Sequence, residues 1–255
     1  MLALERRARI LSRLTGAGNV LVSELSREYG VTEETIRRDL DRLEREGFAK
    51  RTYGGALRVG GAQAELPYQI RRQTFVQSKR AMAELIAERI PDGESVALDA
   101  STSALFVSRA LASRRRLSLV TNSMEILTEL SGKADWTIIA TGGTLNGSAL
   151  SFAGPQAERA IGEFHVRLAV MSCKGLDART GFTDTNESDA SVKRAFIACA
   201  ERTAFLVDSS KFGRSAFSRI AGLEGAAWIV TDAAPPEPWP GLLREKGIEL
   251  IMPER

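Results

Sequence analysis

The chain has little with which to build metal, redox or disulfide chemistry. Its 255 residues include two cysteines, Cys173 and Cys199, and one histidine, His165. Both cysteines stand in apolar contexts, which reads as buried reduced thiols rather than a disulfide or a metal site. No CxxC or HExxH spacing occurs, and a single histidine cannot anchor a histidine metal site. No GxGxxG or GxxxxGK(S/T) stretch is present, so neither a dinucleotide nor a P-loop nucleotide site is indicated and no cofactor is called for. No apolar run approaches the about 18 residues of a membrane span. The start, MLALERRARIL, sets charge too close to its apolar residues for a signal peptide. The expectation is a cytoplasmic protein without membrane contact.

What is present is unevenly distributed. Hydrophobic residues make up 44% of a chain long enough for two domains. Residues 1–60 hold 12 Lys+Arg against 9 Asp+Glu, while the remainder holds 23 of each. All of the formal excess of +3 therefore lies at the amino end, as expected if only that part meets a polyanion. Within it, Val20 to Gly47 reads as two short helices around a tight turn. The first can start at Ser23 as N-cap and run to Tyr29, with Gly30 free to take the left-handed conformation that ends it. Thr32 then caps a second helix whose first turn holds Glu33 and Glu34, where acids suit the helix dipole. Ile36, Leu40 and Leu43 form its buried stripe, and Glu34, Arg37, Arg38, Asp41 and Arg45 fall opposite. Such a helix suits the DNA major groove; an ordinary helical hairpin with a solvated Arg/Glu face is the plainer alternative. Phe48 to Val59 then reads as two strands around Gly54-Gly55, carrying Lys50, Arg51 and Arg58 and no acid. A basic hairpin directly after such a helix is the layout of a winged helix, whose wing lies along the phosphates. Upstream, Leu4, Ile10, Leu11 and Leu14 mark a first helix, with Arg6, Arg7, Arg9 and Arg13 largely facing out. Arg37 and Arg38 are the expected groove contacts, since Arg pairs bidentately with guanine. Thr32 and Thr35 suit phosphate or base edges, Lys50 and Arg51 suit phosphates, and Ser23 and Glu34 complete the DNA-facing set.

ERRARIL, VSELSREYGVTEETIRRDLDRLEREG and YGGA together resemble the amino-terminal domain of the DeoR family of bacterial transcriptional repressors. The core TIRRDL, Thr35 to Leu40, carries the resemblance furthest, and it continues to the carboxyl terminus.

The domains read as 1–59, a winged helix-turn-helix; 60–74, a polar, Gly-rich linker; and 75–255, an α/β domain. In the last, strand-like runs (SVALD, LSLVT, WTIIAT, VRLAVMS, TAFLVD, WIVTD, IELIM) alternate with amphipathic helical segments, which argues for a parallel sheet with helices on both faces. Ligands in such sheets sit at the carboxyl ends of the strands. The loops there are Asp99-Ala100-Ser101-Thr102-Ser103, Thr121-Asn122-Ser123, Thr141-Gly142-Gly143-Thr144, Ser172-Cys173-Lys174-Gly175 and Asp208 to Gly213 with Lys211. One such loop is ordinary helix capping; five at equivalent strand ends read as a phosphate site, with Asp99 and Asn122 suited to sugar hydroxyls. DASTS, VTNS, the Gly-Gly pair, GFTD (Gly181 to Asp184), VKRA with Lys193, and VDSSKFG match the DeoR pattern. The resemblance implies a Rossmann-like fold similar to ribose-5-phosphate isomerase and glucosamine-6-phosphate deaminase, sensing a phosphorylated sugar. Ala100 departs from the usual glycine. Lys174 stands where many members are acidic, pointing either into the pocket or to solvent.

The expected function is a DNA-binding regulator, a repressor of a carbohydrate-catabolism operon relieved by a phosphorylated sugar. The alternative is an isomerase- or deaminase-like enzyme with a DNA-binding appendage, for which Asp99 and Asp208 are the available bases; His165, just before a strand, is not at the site. A constitutive DNA binder leaves the loops unexplained. One winged helix contacts few base pairs, so a homo-oligomer is expected on operator DNA.

Overall fold

The computed structural model describes residues 2–58 and 68–254, and the chain divides into two units, Met1–Val76 and Gln77–Arg255. The end of the hairpin at Val59, residues 60–67 of the expected linker and the side chain of Leu4 lie outside the described residues.

In the first unit, α1 (Ala3–Ala17) stops at Gly18, which takes the left-handed conformation and returns its N–H to the Leu14 carbonyl. β1 (Asn19–Leu21) leads into α2 (Val22–Tyr29), which ends at Gly30 with φ 63° as the sequence implied. Ser23 is not its N-cap: the helix begins one residue earlier, with Leu21 at the cap, and Ser23 lies exposed in the first turn. α3 (Glu33–Arg45) starts at Thr32, whose hydroxyl accepts from the Thr35 N–H. β2 (Ala49–Thr52) and β3 (Gly55–Arg58) form the hairpin. Its turn is Tyr53-Gly54 rather than Gly54-Gly55, because Gly55 already pairs with Thr52 and, across the sheet, with Leu21. β1 was not foreseen; it makes the sheet three-stranded, in the order β1-β3-β2. A Cβ at Gly55 would sit 1.9 Å from the Val20 carbonyl oxygen, so this close approach admits only glycine. Part of the expected linker forms a helix, α4 (Tyr68–Gln73), whose Ile70 joins the core of this unit.

Ile10, Leu14, Leu25, Ile36, Leu40 and Leu43 are fully buried at the centre. Arg6 departs from the outward face expected of it. It is buried, with its Nε 2.5 Å from Asp39 Oδ2. Asp39 occupies the apolar stripe of α3 between Ile36 and Leu40, so its carboxylate is drawn under the fold and needs a cation there.

The second unit opens with α5 (Val76–Ala87), then β4 (Ser95–Leu98), α6 (Thr102–Ala110), β5 (Ser118–Thr121), α7 (Met124–Leu130) and β6 (Thr137–Ala140). A hairpin, β7 (Thr144–Asn146) and β8 (Ser151–Ala153), precedes α8 (Pro155–Gly162) and β9 (Val166–Ser172). There follow β10 (Gly175–Asp177), β11 (Gly181–Asp184), α9 (Glu187–Cys199), β12 (Ala200–Leu206), β13 (Ser218–Ala221), β14 (Trp228–Val230), α10 (Trp239–Glu245) and β15 (Glu249–Ile251). Seven strands form the expected parallel sheet in the order β15-β14-β12-β9-β4-β5-β6. From β4 the sheet grows one way through β5 and β6; from β9 it grows the other way. The β4–β9 seam is thus the point where strand order reverses. A small antiparallel sheet, β10-β11-β13, was not legible in advance. It packs through Phe182, stacked 3.8 Å from Phe205 of β12. Cys173 and Cys199 are both free and buried.

Gly55→Ala is expected to lower the thermal midpoint of the amino-terminal unit, because overpacking costs about 1–3 kcal/mol and the obstacle here is backbone. Gly54→Ala, with open space around it, is expected to leave melting unchanged. Equal melting of the two variants in calorimetry would contradict the close approach at Gly55.

Candidate functional site

On the first unit, Thr32, Glu34, Arg37 and Arg38 all lie on the exposed face of α3. Thr35 is half-buried behind them, its hydroxyl 2.9 Å from that of Thr32. Arg37 pairs with Glu33 at 2.7 Å and Arg38 with Glu34 at 3.2 Å, one helical turn apart. Exposed pairs of this kind are worth well under about 1 kcal/mol, so either guanidinium can exchange its partner for a base edge or a phosphate. Lys50 is exposed on the hairpin. Arg51 is placed differently: it turns toward α3, its Nε 3.1 Å from Asp41 Oδ1, while its N–H donates to Glu44 Oε1. It ties the wing to the helix.

On the second unit the strand-end loops converge on the β4–β9 seam. Asp99, at the end of β4, accepts from the Ser101 N–H at 3.1 Å and, across the seam, from the Ser172 N–H at 3.3 Å. Its Oδ2 lies 3.3 Å from Lys193 Nζ, which reaches in from α9 and also meets Asp184 Oδ2 at 2.5 Å. Beside them Lys211 Nζ donates to Ser172 Oγ at 2.8 Å and lies 3.1 Å from Asp208 Oδ2. Asp99, Asp184, Asp208 and Lys193 are each at least nine-tenths buried.

Burial pushes the Asp184 carboxyl up, but the Lys193 and Lys174 charges and the hydrogen bonds from Lys193 and the Thr185 N–H outweigh it and hold it below the usual carboxylate range. Burial likewise opposes charge on Lys193, and Asp184 and Asp99 together raise it above the ordinary lysine value. Asp208 is held low against burial by Lys211 and Ser210, and Lys211 is raised against burial by Asp208. Cys173, between the two lysines, is pushed up to about 12 by burial. It is a neutral thiol.

Several expected ligand groups also make bonds within the fold. Ser101 and Ser123 cap α6 and α7, accepting from the Ala104 and Ile126 N–H groups. Thr121 donates to the Leu98 carbonyl and accepts from the Ser123 N–H. Thr102 and Ser103 are buried within the first turn of α6. Gly143 is required by packing, since a Cβ there would lie 2.7 Å from the Ala153 carbonyl oxygen; Gly142 faces open space at φ 63°. Asn122 donates to the Phe152 carbonyl at 2.9 Å, while its buried Oδ1 has no partner. Lys174 is half-buried, with its charge felt by Asp184. His165 is exposed at the opposite, amino end of β9, 3.3 Å from Glu201.

Lys79 escapes the sequence reading: it sits buried on the α5 stripe with Met82, Ala83 and Ile86, and its charge helps to hold the Asp208 carboxyl low. Ser172 and Asp184 enter that reading only as members of a strand-end loop and of GFTD, without a role of their own. A charge at a stripe position was the available signal for Lys79. Among the described residues, no group of three or more His, Cys, Asp or Glu side chains could hold a metal ion. No described helix is long and apolar enough to cross a membrane.

Comparison with known proteins gives two family matches, a DeoR-like helix-turn-helix domain over residues 6–60 and a DeoR C terminal sensor domain over residues 74–233. The chain is 40% identical over 233 residues to the uncharacterized HTH-type transcriptional regulator YulB of Bacillus subtilis, covering 91% of this chain and 90% of that protein. It is 34% identical to the transcriptional repressor AccR of Agrobacterium fabrum, covering 90% and 89%. With the glycerol-3-phosphate regulon repressor of Escherichia coli it shares 28% identity over 96% and 97%. Among solved structures, ribose 5-phosphate isomerase A of Methanocaldococcus jannaschii overlaps 52% of this chain and 53% of its own at 15% identity and a TM-score of 0.38, too loose a likeness to argue from.

Asp184→Asn is expected to cost about 3–5 kcal/mol by leaving Lys193 under-compensated in the interior. A lowered carboxyl contributes above its ordinary value near about 3.9 and loses that contribution as pH falls through the folded value. A raised lysine contributes fully below about 10.4. The melting gap between wild type and Asp184→Asn should therefore be full at neutral pH and narrow on strong acidification. A gap independent of pH would contradict the pairing.

Proposed function

The chain belongs to the DeoR family of transcriptional regulators, and from that premise we propose that it represses a carbohydrate-catabolism operon until a phosphorylated sugar occupies the seam between β4 and β9. It is a DNA-binding regulator with a carboxyl-terminal sensor domain. The observation that supports the ligand reading is the convergence of Lys193, Lys211, Asp99 and Asp208 at the strand ends where the sheet reverses. Lysine ammonium groups take a phosphate by charge-assisted hydrogen bonds, and carboxylates and the Asn122 amide take sugar hydroxyls. Regulation of a glycerol-3-phosphate regulon by one relative is in keeping with such an effector.

The enzyme reading asks for a carboxylate free to act as a base. Asp99 and Asp208 are instead engaged with lysines and backbone N–H groups, which favours holding a ligand over transforming it. We further propose a cytoplasmic homo-oligomer assembled mainly through the carboxyl-terminal domain, placing paired recognition helices on repeated half-sites.

Two expected outcomes test this reading. A sugar phosphate should bind the full-length protein in calorimetry and the unphosphorylated sugar much more weakly, with Lys211→Ala weakening only the phosphorylated form. Equal affinity for both would remove the anion site. On the DNA side, Arg38→Ala should cost on the order of 1–3 kcal/mol of specific affinity and relax discrimination at one base position. Lys50→Ala should weaken binding to all sequences and flatten the salt slope by about one. Binding curves over a salt series read both, and unchanged affinity of Arg38→Ala would place it outside the interface.

A further inference from the structure

Two buried polar atoms near the carboxyl end of β5 have no hydrogen-bond partner among the described residues, Asn122 Oδ1 and Ser151 Oγ. Asn122 is 3% exposed and Ser151 1%. A buried oxygen left unpaired has lost its water without compensation, so a fold rarely keeps two together without a use for them. They belong to facing segments. Ser151 pairs with Ser123 across a β-bridge, and the Phe152 N–H donates to the Asn122 carbonyl at 2.8 Å. The Asn122 amide cannot turn over to satisfy itself. Its Nδ2 donates to the Phe152 carbonyl at 2.9 Å, so a flip would set one oxygen against another. Oδ1 is therefore fixed as an acceptor, and what meets it must be a donor. Ser151 Oγ can give or take a proton. The hairpin that carries it is held as well. The Leu150 carbonyl accepts from the Met124 N–H at 2.9 Å, although Leu150 takes a left-handed backbone, φ 52°, in that position.

The pair stands well apart from the ammonium group that would take a phosphate. Lys211 Nζ donates to Ser172 Oγ at the end of β9. Asn122 follows β5, and β4 lies between those two strands. The two strand ends are thus separated by two strand spacings, roughly 10 Å. Asp99, following β4, lies between them. Resting on the phosphate-effector reading above, we infer that Asn122 and Ser151 form a hydroxyl subsite that measures the effector. A sugar phosphate seated on Lys211 must carry a hydroxyl far enough along its chain to donate to Asn122 Oδ1 and accept from Ser151. A three-carbon phosphate ends near Asp99 and leaves both oxygens bare. A five- or six-carbon chain spans the interval. A second phosphate or a carboxylate in that place is refused, because an anion has no proton to give Oδ1. The effector is a pentose or hexose monophosphate.

The test is calorimetry on the full-length protein. The probes are inorganic phosphate, glycerol 3-phosphate, and ribose 5-, xylulose 5-, fructose 6-, tagatose 6-, glucose 6- and galactose 6-phosphate. The tightest binder should be a five- or six-carbon compound, with glycerol 3-phosphate weaker by roughly a hundredfold because it leaves the polar pair unmet. Ser151→Ala should weaken the tightest binder by roughly tenfold, the size of one lost hydrogen bond. It should leave inorganic phosphate and glycerol 3-phosphate where they were, and its melting point should not fall, since no bond of the fold is lost. Glycerol 3-phosphate bound as tightly as the longer sugars would overturn the inference and leave the phosphate reading standing. So would a Ser151→Ala protein that binds the longer sugar as the wild type does, or one that melts lower. If none of the phosphates binds, the effector reading itself is overturned, and the inference with it.

Discussion

The carboxyl-terminal domain depends on how it keeps charge in its interior. The sheet reverses its direction of growth between β4 and β9, and at that seam two strands end side by side. Asp99 closes the gap by accepting from the N–H groups of Ser101 and Ser172, which belong to the two sides. A carboxylate so buried is tolerable only with a cation in contact. Lys193 supplies it, and Lys193 in turn is divided between Asp99 and Asp184. That second carboxylate ends β11, so the same ammonium joins the parallel sheet, α9 and the small antiparallel sheet. Remove Lys193 and both carboxylates are buried charges without that partner; remove either carboxylate and the lysine keeps only one.

The amino-terminal unit repeats the device on a smaller scale. Asp39 lies on the buried stripe of α3, and Arg6 of α1 reaches under to meet it. An apolar side chain at 39 would pack there without choosing an angle; an ion pair 2.5 Å long fixes which part of α1 crosses α3. Arg51 with Asp41, and the Gly55 contact at Val20, then fix the hairpin against the same helix. The face of α3 that carries Arg37 and Arg38 is thereby presented on a frame with few ways to relax. Binding loses less entropy when the reading surface is already ordered.

What the sequence made legible follows from period and capping. The helical repeat of Ile36, Leu40 and Leu43, the left-handed Gly30 and the Thr32 cap stand as read, as do the seven parallel strands, each an apolar run long enough to show itself. What escaped was of two kinds. β7, β10 and β11 (TLN, GLD and GFTD) are mostly polar or glycine, so no apolar run marks them, and with β1 they exist because a neighbour offers an edge. The buried charges escaped because charge was read as exposure. Arg6, Asp39 and Lys79 all lie at buried positions of their helices, where the spacing pointed inward while the residue type pointed outward. The hydroxyls carry a duty that the reading of the loops did not separate from ligand binding: Ser101, Thr121 and Ser123 make cap and strand-end bonds.

That division of labour narrows how an effector can act. Around the seam the buried Asp99, Asp184 and Asp208 face Lys193 and Lys211, while the charges of Lys174 and Lys79 are felt by Asp184 and Asp208. An anion that bonds to Lys193 or Lys211 competes there with an aspartate. Lys193 is held by two carboxylates and Lys211 by one, so Lys211 is the cation more readily surrendered. Its partner Asp208 opens the turn that runs to Gly213, and that turn is bonded to β10 through the Gly213 N–H and the Leu176 carbonyl. On the proposed reading, a phosphate that displaces Asp208 therefore pulls on the β10-β11-β13 sheet and leaves the Asp99–Lys193 seam whole. The ligand then favours one arrangement of that sheet over another, and such a difference in affinity is what a sensor needs in order to shift an equilibrium.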